Sequence, residues 1–156
     1  MKIMDFLNEK AVSADLKAQD KKGAIQELVD LLIESDELKP RMKDASVKIL
    51  LNREALGSTG IGQGVAIPHG KCEYVKELVG AFGVSKKGIN FDSLDGEPAY
   101  IFFVLFAPIE SSGPHLKALA RISKLLKDKY FRDSLRNAGS EKLLLKIIKE
   151  EDQRRP

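Results

Sequence analysis

Tryptophan is absent from this 156-residue chain, and cysteine occurs once, at Cys72. A single cysteine makes no internal disulfide, so the core alone must hold the fold, and a reducing, cytoplasmic compartment is the expected setting. Long hydrophobic runs are lacking as well. The most apolar stretch, Tyr100–Ala107, is eight residues long, against the ~20 that a membrane-spanning helix needs. The opening MKIMDFLNEK carries no apolar signal segment. Nor is there an excess of one charge: 26 Lys and Arg face 23 Asp and Glu, for a net charge of +3. That even balance gives no electrostatic footprint for nucleic acid, and neither nucleic-acid binding nor membrane insertion is expected.

What is present is the composition of a soluble globular protein, 43% hydrophobic and 31% charged. The length suits one well-buried core, so a single domain is expected over 1–150, followed by a charged tail over 151–156. Ile25, Leu28, Val29 and Leu32 recur at helical spacing within Asp20–Ser35, and Asp20 is placed to cap the first turn. Pro40 suits the opening of a second helix carrying Met42, Ala45, Val47, Ile49, Leu50 and Leu51, which Gly57 would end. The run Gly57-Ser58-Thr59-Gly60-Ile61-Gly62-Gln63-Gly64 is too rich in glycine for a helix. It reads as a loop leading through an extended Val65-Ala66-Ile67-Pro68 into His69. Leu78–Ser85 reads as a strand closed by a turn at Lys86-Lys87-Gly88. Ile89 and Phe91 alternate briefly before a turn at Asp95-Gly96, and Tyr100–Leu105 reads as a central strand buried on both faces. One further helix opens at Pro114 with Leu116, Leu119, Ile122, Leu125 and Leu126. A last one is capped by Ser140 and carries Leu144, Ile147 and Ile148, beyond which Glu150–Pro156 reads as frayed. Helices before, between and after strands predict an α/β domain with helices packed on a small mixed sheet, its strand order left open.

Histidine is scarce: His69 and His115 are the only two. Each sits where a loop meets a regular element, a position that combines rigid support with solvent access. Pro68 stiffens the approach to His69, and Gly70 removes a side chain beside it, which would let another protein come close. Residue type and spacing alone leave His69 open between a solvent-facing histidine and a functional one. His115 would be the second residue of the helix opened by Pro114, where the helix dipole favours a neutral ring and a nearby anion; a loosely packed first-turn residue is the alternative. Arg53, near the end of the second helix, either complements that helix's dipole or offers its planar fork to a phosphate. Other chemistries fit less well. Gly70-Lys71 lacks the remainder of a nucleotide-binding P-loop, with Val65 and Cys72 at positions that need glycine and a hydroxyl. Gly60, Gly62 and Gly64 miss the dinucleotide spacing. His69, Cys72 and His115 would supply three zinc ligands without a second paired motif, so no metal and no cofactor are expected. A Cys72 nucleophile and a carboxylate-pair hydrolase have as little support.

The segment from Asn52 to Lys71, NREALGSTGIGQGVAIPHGK, resembles the active-site segment of the fructose/mannitol-type (type 2) enzyme IIA domains of the bacterial sugar phosphotransferase system. The segment His115-Leu116-Lys117-Ala118-Leu119-Ala120-Arg121-Ile122 is similar to that family's second histidine segment. The resemblance implies a three-layer α/β/α fold. It implies a phosphocarrier in which His69 accepts the phosphoryl group, His115 supports it and Arg53 pairs with the phosphate. Donation would come from phosphohistidine on HPr or a paralogue of it. With no membrane, IIB or HPr segment attached, the chain looks most like the stand-alone nitrogen-regulatory IIA proteins. A sugar-specific IIA passing phosphate to a IIB component and permease is the alternative, and a non-catalytic binding module a third. Around the acceptor, Ser58, Thr59 and Gly70 are candidates for phosphate or loop contacts, with loop N–H groups contributing. Ile61 and Val65 are candidate partner contacts.

Overall fold

The centre of the protein, described by a computed structural model covering residues 1–156, is a strand that the sequence marks plainly. Strand β6, Ala99–Ala107, is buried along nearly its whole length. Its side chains alternate between two separate cores, as a pleated strand requires. Ile101, Phe103 and Leu105 enter one core, and Phe102, Val104 and Phe106 enter the other. Aromatic pairs anchor both: Phe103 meets Phe82 edge to face at 5.7 Å, and Phe102 meets Phe91 at 5.5 Å.

The other strands are β1 (Leu7–Ser13), β2 (Gly60–Gly62), β3 (Val65–Ala66), β4 (His69–Lys71) and β5 (Val79–Ile89). They assemble in the order β1-β5-β6-β3-β2, with β4 also pairing β6. The sheet is mixed. β5 runs antiparallel to β6, while β3 and β4 run parallel to it, against Ile101–Phe102 and Leu105–Ala107 respectively. Helices α1 (Lys21–Glu34) and α2 (Lys43–Ala55) cover one face. Helices α3 (Ser112–Leu126), α4 (Lys129–Asn137) and α5 (Glu141–Arg154) cover the other. The expected three-layer α/β/α fold is therefore present. Two expected caps are too: Asp20 accepts from the Gly23 N–H at 2.7 Å, and Ser140 from the Leu143 N–H at 3.1 Å.

Four details differ from expectation. Lys86-Lys87-Gly88 is not a turn but an irregularity inside β5, between paired positions Val84 and Ile89, with Gly88 at φ +84°. Pro40 opens a short 3-10 turn, Pro40–Met42, that precedes α2. Helix α3 starts at Ser112, so Pro114 sits inside its first turn, where a missing N–H leaves no bond unmade. The end of the chain is not frayed. α5 continues to Arg154, and Glu151 and Asp152 are buried. The Asp152 carboxylate accepts the N–H groups of Ile3 and Met4 at 2.9 and 3.0 Å and pairs with Arg121 at 2.8 Å. Charges that look solvent-bound in the sequence thus tie the two ends of the chain together.

Candidate functional site

His69 and His115 meet at one end of the sheet, beside β4. Strand alternation sends His69 and Lys71 to one face and Gly70 to the other. On the first face the His69 ring meets that of His115 edge to face, with centroids 5.5 Å apart and planes at 74°. Lys71 Nζ donates to the Ser112 hydroxyl at 2.7 Å, at the opening of α3. His69 Nδ1 lies 2.8 Å from the Ile67 carbonyl oxygen. A carbonyl only accepts, so Nδ1 carries the proton and Nε2 keeps its lone pair. Burial holds the His69 pKa below the usual histidine value. The Arg53 charge adds to this, against the opposing pull of the Ile67 hydrogen bond and Glu54. Burial likewise lowers the pKa of His115, helped by His69 and Lys71. Both rings are therefore neutral near pH 7.

His115 is the fourth residue of α3, not the second. Its backbone N–H is taken by Ser111 O at 3.0 Å, but its ring Nε2 is buried and has no partner. An incoming phosphoryl oxygen would satisfy it. The N-cap residue Ser111 makes no side-chain cap to the start of α3, so the helix presents unpaired N–H groups beside Lys71, a setting that favours an anion. Arg53, in the last turn of α2, donates to the Gly57 carbonyl at 2.7 Å, which holds the guanidinium against the loop.

Several expected contacts are placed otherwise. Ser58 donates to the Phe91 carbonyl at 2.8 Å, and the Thr59 hydroxyl donates to Glu54, so both hydroxyls anchor the loop instead of facing the histidines. A Cβ on Gly70 would lie 2.5 Å from Ile49 Cγ2. A side chain at position 70 would therefore crowd Ile49, where β4 lies against α2. Val65 is buried in the core and is removed as a partner contact, because β3 turns its side chain inward. Ile61 is exposed and borders an open cleft with Leu94, Ser123 and Lys127. The β2–β3 turn places Gln63 and Gly64 at φ +58° and +79°, as a tight hairpin turn of the type I′ kind requires. Cys72 is fully buried and burial pushes its thiol pKa up, the reverse of an activated nucleophile. Sequence reasoning passed over Lys71 and Glu54. The signal for Lys71 was its two-residue spacing from His69 in an extended segment. For Glu54 it was an acid just ahead of a loop with two adjacent hydroxyls.

Comparison with known proteins identifies the family. Residues 5–151 match the family described as "Phosphoenolpyruvate-dependent sugar phosphotransferase system, EIIA 2". The chain is 38% identical over 148 residues to a nitrogen regulatory protein from Bradyrhizobium diazoefficiens, covering 95% of each. It is also 38% identical over 153 residues to the fructose-specific EIIABC component of Bacillus subtilis. That match takes in 98% of this chain, which spans about a quarter (24%) of that larger protein. Among solved structures, the nitrogen regulatory protein IIA-Ntr of Neisseria meningitidis superposes with a TM-score of 0.84 at 34% identity, over 94% of this chain and 98% of that one. With its fold and its sequence in agreement, the chain belongs to the type 2 EIIA family of the phosphoenolpyruvate-dependent phosphotransferase system, a family of phosphoryl-transfer components.

Proposed function

We propose that the chain is a cytoplasmic phosphocarrier of the nitrogen-regulatory type, accepting a phosphoryl group on His69 Nε2 from phosphohistidine on HPr or a paralogue. The observation that carries this is the hydrogen bond from His69 Nδ1 to Ile67 O, which leaves Nε2 as the free nucleophile. A P–N bond forms at Nε2 as the donor's P–N bond breaks in line with it. Such transfer rests mainly on positioning and on stabilising charge on the three equatorial oxygens. Arg53, the His115 ring N–H, Lys71 and the first N–H groups of α3 supply that stabilisation. Ile61, at the open side of the cleft, meets the partner. The phosphorylated surface gains about −1.5 to −2 charge at pH 7, enough to change which target binds.

The nitrogen-regulatory assignment is supported by near-complete coverage of relatives of that name. A second reading, a fructose-type IIA handing phosphate to a IIB component, is favoured by the equal identity to the fructose-specific protein. No helix is long and apolar enough to cross a membrane. The test is incubation with phosphoenolpyruvate, enzyme I and HPr or their paralogues, followed by intact mass of wild type and His69→Ala. One phosphoryl group gained by wild type alone supports the carrier. Onward transfer to a IIB protein favours the sugar-specific reading. No gain with any carrier pair, on folded protein, overturns both and leaves a binding module.

A further inference from the structure

A buried carboxylate that the transfer chemistry does not use lies directly behind the site. Glu54 is 8% exposed, and its neighbour in α2 is Arg53. Burying a carboxylate is unfavourable unless its oxygens are fully engaged, and here they are. The carboxylate accepts the Thr59 N–H at 2.6 Å and the Thr59 hydroxyl, and Lys21 Nζ of α1 lies 3.2 Å away. Lys21 also sits over the Phe91 ring and pairs with Asp92, so the cation itself is fixed.

The contacts continue toward the imidazole. The Thr59 carbonyl accepts the Ile67 N–H at 3.0 Å. The carbonyl of that same Ile67 residue accepts His69 Nδ1–H at 2.8 Å. On the next peptide, the Pro68 carbonyl accepts the Leu105 N–H from β6 at 3.0 Å. The Ile67 carbonyl is therefore aimed from two sides, by the Glu54-anchored loop and by the central strand. The position of that one oxygen decides which ring nitrogen holds the proton.

Building on the assignment of His69 as acceptor, we infer that Glu54 is a positioning residue, acting through Thr59 and Ile67 to hold His69 in the tautomer with Nε2 free. The same anchoring sets Arg53, because Gly57, which accepts from the Arg53 guanidinium, lies on the same loop between Glu54 and Thr59. A group at this remove from a reacting ring works like the outer partners of metal-bound histidines, whose loss lowers activity about 10- to 100-fold.

The test uses the full chain labelled with nitrogen-15, in wild type, Glu54→Ala, Thr59→Val and Thr59→Ser. Long-range proton–nitrogen correlation reads the protonation of each ring nitrogen without any phosphoryl donor. Wild type and Thr59→Ser are expected to show a single His69 form, with Nδ1 protonated. Glu54→Ala and Thr59→Val are expected to show mixed His69 forms while His115 and the amide spectrum of β5 and β6 stay unchanged. Uptake from phosphorylated HPr then falls about 10- to 100-fold in kcat, with KM for HPr little altered. Thr59→Val preserves side-chain volume and carries the test if Glu54→Ala does not fold. A single Nδ1-protonated form and wild-type kcat in folded Glu54→Ala or Thr59→Val would overturn the inference. Failure of wild type itself to take up phosphate would strike the acceptor assignment instead, and the ring spectra would still report on Glu54.

Discussion

Two buried carboxylates lie in different regions of the protein and use the same device for different ends. Glu54 captures the N–H of Thr59 and pairs with Lys21; Asp152 captures the N–H groups of Ile3 and Met4 and pairs with Arg121. Glu54 spends its buried charge on the loop that follows its own helix and Asp152 on the opposite end of the chain, and each is satisfied by a cation as well as by backbone. The segments differ in what they carry. Behind Glu54 lies a loop whose next contacts reach an imidazole, whereas behind Asp152 lie only the two chain ends. In the proposed reading one anchor orients the His69 ring, and the other closes the fold. A buried ion pair therefore says little about function until the far end of its hydrogen-bond chain has been traced.

The comparison can be broken or sharpened in five ways. The largest effect is expected from His69→Ala, which should abolish phosphoryl uptake by intact mass while leaving the melting curve nearly unchanged. Next is Asp152→Ala, which leaves Arg121 buried without its partner. Urea unfolding should show a loss of about 3–5 kcal/mol, with uptake rate retained wherever the variant is folded. The two anchors would lose their distinction if that variant proved slow but stable. Third, Arg53→Ala should retain the acceptor and slow transfer roughly 100-fold, as loss of one preorganised donor does, measured by rapid quench.

A pH series is the fourth and separates the regions by the pH window in which each loses its contribution. Burial lowers the pKa of both histidines, so each folded ring binds its proton less readily than an unfolded one. Their contribution to stability is complete above the unfolded value of ~6.5 and is lost as pH falls through the window below it. Over the same window uptake should persist, because the His69 nucleophile stays neutral. For Asp152, burial pushes its pKa up, but the hydrogen bonds from Met4, Ile3 and Arg121 prevail and hold it low. Its contribution is present above ~3.9 and is lost as pH falls further, through the folded value. Ring-proton titration by NMR and acid unfolding of Asp152→Asn check the two windows separately. The smallest effect is expected from Ile61→Ser, which should shift stability by less than about 0.5 kcal/mol and raise only KM for the carrier.

The parts of this arrangement that could be read from the sequence are those encoded locally. The apolar run of β6, the capped helix α1, the glycine-rich loop and the two histidine segments each announce themselves within a few residues. What escaped depends on partners far along the chain. Strand β1, with Asn8, Glu9 and Lys10 in its middle, pairs irregularly at a sheet edge and so lacks a two-residue apolar alternation. Asp152 looked like tail because its partners Ile3 and Met4 lie at the other end of the chain. The crowding of Gly70 by Ile49 was likewise hidden, because Ile49 lies on another element, α2. Val65 failed as a contact because a two-residue strand inside a loop-like run buries both its residues. The direction of the Ser58 hydroxyl follows from Phe91, which no local pattern links to it, whereas that of the Thr59 hydroxyl follows from Glu54, an acid five residues before it.

Strand β6 has one more consequence, for the order in which the protein assembles. Val65 and His69 pair with Ile101 and Leu105, on a strand that their own segment cannot reach until the later part of the chain has arrived. β5 and β6, joined by the short span from Ile89 to Ala99, can meet first and present an edge ready to receive it. By that topology the pairing of the histidine segment is expected to follow that of β5 with β6.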